Sequence, residues 1–273
     1  MCDKCGCSAT TLHDAPDVAG AEVRFTPVRE QVDLVRGILD GNRRQAEHNR
    51  AHFDAHGIVA INLMSSPGSG KTSLLEATIP RLRTQFRIAV IEGDLETEND
   101  AQRIRAQGVP AVQITTGTAC HLDAALIHGA LHQLDLGDID LMFIENIGNL
   151  VCPASFGLGQ HRNVTLLSVT EGDDKPAKYP VMFRASDLVL ISKTDLLPHI
   201  PEFAESRAVD ALATIGAAAP VLPISARNPT SLDAWLDWLN RTVIEVRAAH
   251  NRARPAMQPQ PIGIEQGHVH ISI

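Results

Sequence analysis

The feature that most constrains the fold is a loop of small residues between a predicted strand and a predicted helix. The apolar run Ile58–Met64 leads directly into Ser65-Ser-Pro-Gly-Ser-Gly-Lys-Thr72, and a helical pattern begins at Ser73. Small residues let successive backbone N–H groups turn inward on an anion, and a helix N-terminus adds partial positive charge. The sequence therefore predicts a phosphate-binding loop. The alternative is a strand-to-helix turn that binds no ligand.

Each residue of this loop has an expected role. Lys71 is expected to reach the outer phosphates and Thr72 to offer its hydroxyl to Mg²⁺, whereas Ser65 stands where the general pattern has its first glycine. The residues expected to contact the phosphates are Gly68, Ser69, Gly70, Lys71, Thr72 and Ser73.

The rest of the chain alternates short apolar runs with helical patterns. Strands are predicted at 58–64, 87–91, 140–144, 164–169 and 187–191, with a sixth near Val221-Leu222. Helices are predicted at 28–53 and 231–247, and Cys120-His121 is expected to open another. Nearly unbroken apolar runs are typical of parallel strands that are covered on both faces. The pattern predicts an α/β P-loop NTPase with a mostly parallel, doubly wound sheet and flanking helices.

A second motif follows the fifth predicted strand. Ser192-Lys193-Thr194-Asp195 resembles the Asn-Lys-x-Asp guanine motif of GTPases, with serine in place of the usual asparagine. A carboxylate at the fourth position accepts hydrogen bonds from N1–H and the exocyclic amine of guanine, whereas adenine offers no such donor pair. Lys193 would lie over the ring, and Ser225-Ala226 resembles the later loop that backs the base. The motif favours GTP and GDP; an ordinary polar turn is the alternative.

Carboxylates are expected beside the phosphates. Asp94 and Glu96 follow the second predicted strand, and Glu145 ends the third. The carboxyl ends of the strands in an open parallel sheet face one crevice. Mg²⁺ prefers oxygen ligands, so Thr72, Asp94 and Glu145 form the predicted magnesium set, and Lys71, Asp94 and Glu145 the predicted catalytic set. Capping of a following helix or turn is the alternative role for Asp94 or Glu145.

Three cysteines crowd the start of the chain. Cys2, Cys5 and Cys7 place three soft donors close to the α-amino group, which suits Ni²⁺, Zn²⁺ or Cu(I). A redox pair would be expected within a βαβ pattern, and the sequence shows none around it. Metal capture is the favoured interpretation.

A second set of soft donors lies in the body of the chain. Cys152 is joined by a few residues to Glu145, so a metal ion on Cys120, His121 and Cys152 would sense the nucleotide state. Three donors leave a tetrahedral ion one ligand short, which a water or a two-fold dimer axis could supply. A buried thiol and a surface imidazole are the alternative. The remaining histidines show no comparable clustering, apart from His268-x-His270.

Composition limits the partners. The formal net charge of −8 argues against a dedicated nucleic-acid binder, because such proteins present a basic face. No apolar run approaches the ~18 residues of a membrane span, and the N-terminus lacks the order of a signal peptide, so a cytoplasmic location is expected. The predicted organisation is a flexible N-terminal metal-binding segment (1–27), a P-loop GTPase domain with an N-terminal helix (28–250) and a loose C-terminal tail (251–273).

Five motifs together resemble the nickel-incorporation GTPases of hydrogenase maturation, the HypB family. They are Cys2-x-x-Cys5-Gly-Cys7, the phosphate loop, Thr116-Gly-Thr-Ala-Cys120-His121-Leu-Asp123, Glu145-Asn-Ile-Gly-Asn-Leu-Val-Cys-Pro153 and Ser168-Val-Thr-Glu-Gly-Asp-Asp174. The resemblance covers essentially the whole sequence. It implies a GTPase that forms a homodimer around the nucleotide. It also implies that slow GTP hydrolysis is coupled to nickel delivery into [NiFe]-hydrogenase, with HypA and the hydrogenase large subunit as partners.

The resemblance also implies roles for single residues. The cysteines at positions 2, 5 and 7 resemble an N-terminal nickel site, and Cys120, His121 and Cys152 a nickel or zinc site of the GTPase domain. The residues that match phosphate, magnesium and base positions are Lys71, Thr72, Asp94, Glu145, Lys193 and Asp195. The chain lacks the long histidine-rich stretch of some relatives, which implies a small storage capacity.

Three other functions are compatible with parts of the sequence. A urease-type nickel GTPase would share the sheet, and the N-terminal cysteines with the Cys-His/Cys set argue against it. A passive metal-binding protein would carry a vestigial nucleotide site, whereas Lys71 and Thr72 are intact. A small-molecule kinase would have no need of Asp195.

Overall fold

The sheet is the centre of the molecule. The computed structural model describes residues 28–94, 99–117 and 119–253, and within these ranges seven strands form one sheet. They are β1 (Val59–Ser65), β2 (Ile88–Asp94), β3 (Ala111–Thr115), β4 (Leu141–Glu145), β5 (Arg162–Ser168), β6 (Leu188–Ser192) and β7 (Val221–Pro223). Neighbouring strands are all parallel, in the order β3-β2-β4-β1-β5-β6-β7. The predicted doubly wound α/β fold is confirmed, and the described sheet is wholly parallel.

β3 is the strand that the sequence pattern did not predict. It lies at one edge of the sheet, and its buried residues, Val112 and Ile114, alternate with the partly exposed Gln113 and the exposed Thr115. An edge strand with one covered face lacks the unbroken apolar run by which the other strands were predicted.

Helices cover both faces of the sheet. In the described ranges they are α1 (Val28–His56), α2 (Lys71–Leu82), α3 (Asn99–Arg105), α4 (Ala124–Leu131), α5 (Lys175–Lys178), α6 (Pro180–Arg184), α7 (Glu205–Thr214) and α8 (Asp233–Ala253). Alternate residues of β1 enter different cores. Ile61 packs in one core with Leu75 of α2 and Trp235 of α8, and Ala60 packs in another with Phe53 of α1.

Two predicted helix boundaries differ from the structure. α4 begins at Ala124, because the side chain of Asp123 caps it by accepting a hydrogen bond from the Leu126 N–H at 2.8 Å. Cys120 and His121 therefore lie in the preceding loop, and the prediction that they open the helix was wrong. α8 continues to residue 253, beyond the predicted helix end at 247 and the predicted domain end at 250.

Several predictions fall outside the described residues. These are the metal-binding segment 1–27 with Cys2, Cys5 and Cys7, Glu96, and residues 254–273 with His268 and His270. Across the described part of the chain, no helix has the length and apolar character needed to span a membrane.

Candidate nucleotide site and metal centre

The phosphate loop joins the central strand β1 to α2. Gly68 and Gly70 have φ angles of 73° and 97°, a region that glycine enters without strain, and these turns bring the loop to the start of α2. Lys71 Nζ donates a hydrogen bond to Ser65 Oγ at 3.0 Å, and Ser65 Oγ donates to the Ser66 carbonyl at 2.7 Å. Ser65, which stands at the first-glycine position, therefore fixes the side chain of Lys71 by accepting its hydrogen bond.

Buried carboxylates lie beside the first turn of α2. Thr72 Oγ1 donates to Glu145 Oε1 at 2.8 Å, and in the parallel register of β2 and β4 Glu92 lies opposite Glu145. One carboxylate oxygen from each of Glu92, Glu145 and Asp100 lies within 4.8 Å of the other two. Burial raises the pKa of both glutamates, and the neighbouring charge of Glu145 raises that of Glu92 further.

This pocket suits a hard cation. The Oε2 atoms of Glu92 and Glu145 are buried, and neither has a hydrogen-bond partner among the described residues. Unpaired buried oxygens are costly, and Mg²⁺ takes oxygen ligands. The structure thus brings Thr72 and Glu145 of the predicted magnesium set together. Asp94, half-buried at the end of β2, does not belong to the group of three, and its predicted role stays a prediction.

The predicted base-binding residues form one side of a large cavity. Its volume is about 590 Å³, a size typical of small-molecule sites. It is lined by Ser69, Gly70, Ser73, Lys193, Asp195, Ser225 and Ala226, among others. Ser225 Oγ donates to Asp195 Oδ1 at 2.6 Å, which orients that carboxylate.

The base loop and the phosphate loop are bonded to each other. Ser192 Oγ donates to the Ser69 carbonyl at 2.8 Å, and Lys193 Nζ donates to the Gly68 carbonyl at 2.6 Å. Lys193 has a φ of 60°, an uncommon left-handed conformation for a residue with a side chain. Ser192, which stands in place of the usual asparagine, thus stabilises the base loop by its hydrogen bond to the phosphate loop.

The structure brings the predicted soft donors of the body together. Cys120 Sγ lies 3.1 Å from Cys152 Sγ and 3.6 Å from His121 Nδ1. The sulfur separation exceeds a disulfide bond of about 2.05 Å. The His121 ring packs on Phe156 with a centroid distance of 4.0 Å, and burial lowers the pKa of His121. A neutral imidazole beside two thiols is a suitable set for Ni²⁺ or Zn²⁺.

A short segment connects this thiol cluster (Cys120, His121 and Cys152) to the phosphate loop. Asn149 N–H donates to the Ser65 carbonyl at 2.7 Å, and Asn149 Oδ1 accepts from the N–H groups of Val151 and Cys152. A Cβ added to Gly148 would lie 2.6 Å from the Pro67 Cα, so the two loops are in direct backbone contact.

A second link passes through Asn146. Its Oδ1 accepts a hydrogen bond from the Leu122 N–H at 3.2 Å, one residue beyond His121. Leu122 in turn packs on Gly93 of β2, where a Cβ would lie 2.8 Å from its side chain. Both halves of the thiol cluster are therefore fixed to strands that end at the phosphate site.

Known proteins show the same arrangement of sequence and fold. A family model described as the CobW/HypB/UreG nucleotide-binding domain matches residues 59–223. The hydrogenase maturation factor HypB of Azotobacter vinelandii is 50% identical over 255 residues, covering 93% of this chain and 82% of that protein. This chain belongs to the HypB family of hydrogenase maturation factors. HypB of Escherichia coli K12 is 47% identical over 228 residues, covering 84% of this chain and 78% of that protein.

A solved HypB structure agrees with the fold. The crystal structure of HypB from Helicobacter pylori in complex with nickel superposes with a TM-score of 0.72 at 42% identity, covering 76% of this chain and 97% of that one. The resemblance to the HypB family that the motifs predicted is confirmed, and with it a nucleotide-binding domain.

Sequence reasoning missed two groups that the fold assembles. Glu92 and Asp100 were not among the predicted site residues, yet both join Glu145. Glu171, which lies within the motif Ser168–Asp174, accepts a hydrogen bond from the Ser69 hydroxyl of the phosphate loop. The statement that the remaining histidines do not cluster was wrong, because His48, His52 and His128 come together in the fold.

Proposed function

We propose that this chain binds and hydrolyses GTP and that it carries nickel, or zinc in its place, on the thiol cluster for delivery during [NiFe]-hydrogenase maturation. The observation that carries the proposal is the backbone contact of Gly148 with Pro67, because it joins the metal ligands to the phosphate loop. The nickel complex of the Helicobacter pylori relative supports the choice of cargo.

Guanine specificity rests on the orientation of Asp195. Its carboxylate is held by Ser225 at the cavity wall, where it can accept from N1–H and the exocyclic amine of guanine. The variant Asp195→Asn tests this assignment. It should lose GTP and gain xanthosine triphosphate, because the carboxamide donates to the C2 carbonyl of xanthine. An unchanged preference for GTP would contradict the assignment.

Hydrolysis is supported by the residues at the first turn of α2. Lys71, at the start of α2, would neutralise the outer phosphates. Thr72 Oγ1 and the unpaired Oε2 of Glu145 would hold Mg²⁺, which supplies charge neutralisation on the phosphates when bound. Asp94 stays our candidate for the second carboxylate of the catalytic set. The structure offers Glu92 as a further oxygen donor in the same pocket.

A GTP-dependent homodimer would complete the metal shell. The thiol cluster supplies three donors, and tetrahedral sites take four ligands. Val151, next to Cys152, is an exposed large apolar residue, and Leu126 on α4 is another. Exposed apolar residues beside an incomplete ligand set support a shared face, on which a two-fold axis would pool the cysteines of two copies.

Delivery would require partners and a supply of metal. By family membership we propose HypA as the partner and the hydrogenase large subunit as the destination, with the cysteines at positions 2, 5 and 7 as an N-terminal nickel site. Ordering of loops by GTP would favour the dimer. Hydrolysis would then change the metal coordination and release the ion.

The deciding experiment is a nickel titration in two nucleotide states. Equilibrium dialysis would be run on the wild type and on Cys120→Ser/Cys152→Ser, each with GDP and with a non-hydrolysable GTP analogue. Cys2→Ser/Cys5→Ser/Cys7→Ser is the matched control. We expect the nickel affinity of the wild type and the control to depend on the nucleotide, and this dependence to vanish without Cys120 and Cys152.

Two outcomes would contradict the proposal. Equal nickel affinity in both nucleotide states would show that the contact carries no coupling, since a ligand shifts an equilibrium only by its differential affinity. Absence of phosphate release from GTP would leave a passive metal-binding protein with a vestigial nucleotide site.

A further inference from the structure

A cluster of imidazoles lies between α1 and α4, apart from the thiols. His48 and His52 stand one turn apart on α1, and His128 and His132 one turn apart at the end of α4. The Nε2 atoms are 3.0 Å apart in the first pair and 3.2 Å apart in the second. One ligand nitrogen from each of His48, His52 and His128 lies within 4.8 Å of the other two. We call these four residues the imidazole cluster.

We propose that the imidazole cluster is a second transition-metal site, which binds one Ni²⁺ or Zn²⁺ ion through nitrogen ligands contributed by both helices. Two histidines four residues apart on one helix face are a recurrent metal-binding pair. Here two such pairs face each other.

The spacing of the nitrogens fits such an ion. In a tetrahedral site with metal–nitrogen bonds of about 2.05 Å, neighbouring ligand nitrogens lie about 3.3 Å apart, and in an octahedral site about 3 Å. The observed separations of 3.0 and 3.2 Å within the pairs match these values. The third nitrogen lies within 4.8 Å of the first pair, so small rotations of the rings would bring it into the same range.

The surroundings of the rings also suit metal binding. Burial lowers the pKa of His52 and His128, and the neighbouring imidazoles lower both further. His128 Nδ1 is buried and has no hydrogen-bond partner among the described side chains and backbone. His132 is the C-cap residue of α4, where the helix dipole favours a bound cation.

Two asparagines of α1 hold it against the start of α4, and a glycine of the segment before β5 packs closely on α1. Asn49 Nδ2 donates to the Ala124 carbonyl at 2.7 Å, and Asn42 Oδ1 accepts from the Ala124 N–H at 2.8 Å. Gly159 lies so close to α1 that a Cβ would approach the Ala46 carbonyl to 2.7 Å. The ligands are therefore carried by rigid, mutually anchored elements, as a metal site requires.

The test uses the full, untagged chain with all five cysteines replaced by serine, so that no thiol ligand remains. Ni²⁺ and Zn²⁺ would each be titrated in competition with a chromophoric chelator. We expect one equivalent to bind, and X-ray absorption to show a nitrogen and oxygen shell with imidazole scattering. The quadruple variant His48→Gln/His52→Gln/His128→Gln/His132→Gln should bind at least about tenfold more weakly.

Two pair variants show whether both helices contribute. His48→Gln/His52→Gln and His128→Gln/His132→Gln should each weaken binding at least about tenfold, whereas either pair variant with parental affinity would overturn a site between the helices. These partly exposed positions should tolerate glutamine, and far-UV circular dichroism with GTP hydrolysis in the cysteine-containing chain would verify the fold.

Control variants guard against incidental histidines. His199→Gln/His250→Gln removes two imidazoles outside the cluster, and His268→Gln/His270→Gln removes the pair near the C-terminus. Both controls should keep the parental affinity. Loss of the ion from either control, or its retention by the quadruple variant, would overturn the proposal.

Discussion

The thiol cluster and the imidazole cluster lie at opposite ends of α4, yet they differ in chemistry and in connection. The thiol cluster combines two sulfurs with a buried imidazole, and its flanking residues bond directly to the phosphate loop. The imidazole cluster has nitrogen donors alone, is partly exposed, and is anchored by Asn42 and Asn49 to loop and helix backbone. We therefore expect the nucleotide to affect metal binding at the thiol cluster, whose flanking backbone bonds to the phosphate loop, and not at the imidazole cluster.

The largest effect is expected from adding a side chain at Gly148, where the backbone lies against Pro67. In Gly148→Ala the new Cβ would overlap Pro67, and overpacking of about 1–3 kcal/mol should weaken GTP binding roughly 5- to 150-fold. The nickel affinity of the thiol cluster should lose its dependence on the nucleotide, while the imidazole cluster keeps its affinity. Calorimetric titrations with GTP analogue and with nickel would measure both.

The matched control for this substitution is Gly129→Ala. Gly129 lies on α4 beside His128, and nothing stands within 4 Å of an added Cβ. Alanine favours a helix over glycine by up to about 1 kcal/mol, so this variant should be as stable as the wild type or more so. Equal effects of the two substitutions would remove the special role of the Gly148 contact.

The next largest effect is expected in the pH dependence of stability, through a histidine that contacts α1, the helix that carries half of the imidazole cluster. His161 Nε2–H donates to Asp54 Oδ1 of α1 at 3.0 Å, and His161 Nδ1 accepts from the Ala60 N–H at 3.0 Å. Burial, with the nearby charge of Arg50, lowers the pKa of His161 to about 4. The folded chain therefore holds this ring neutral, whereas in the unfolded chain it takes up a proton below about pH 6.5.

Stability from His161 is thus present above pH 6.5 and is lost as the pH falls toward 4. The free energy of unfolding should drop by about 2 kcal/mol more between pH 7 and pH 5 in the wild type than in His161→Gln. Urea unfolding at the two pH values would measure this difference. An equal drop in the free energy of unfolding between pH 7 and pH 5 in the two proteins would contradict a neutral, buried ring in the folded state.

The smallest effect is expected from Asn149→Ala. The backbone bond to Ser65 remains, but the Val151 and Cys152 N–H groups lose the side-chain acceptor. Loss of about 1 kcal/mol should weaken nickel binding by the thiol cluster roughly fivefold and leave the imidazole cluster unchanged. Asn228→Ala, which removes a similar turn cap far along the chain, serves as the control. A variant with unaltered nickel affinity would exclude this role of Asn149.

The sequence predicted the features that depend on local order along the chain. The strand, loop and helix around Lys71 are contiguous, so their pattern was sufficient to predict the fold and the phosphate loop. Ser192 and Ser65 departed from the usual patterns, and only their tertiary bonds to Ser69 and Lys71 explain how the loops are held.

What the sequence could not predict depends on register and helix packing. Glu92 joins Glu145 because β2 and β4 pair in one particular register, and apolar runs do not specify register. His48 and His128 are 80 positions apart, and they meet only because α1 packs on α4. No pattern of period 2 or 3.6 contains that information.

If the contact of Gly148 with Pro67 couples the two sites, the supply of metal affects the binding of nucleotide. Binding linkage is reciprocal, so whatever factor GTP imposes on metal affinity at Cys120 and Cys152, the metal must impose on GTP affinity. A cell starved of the cargo ion would then hold this protein in a different balance of GTP and GDP forms, at constant nucleotide concentrations.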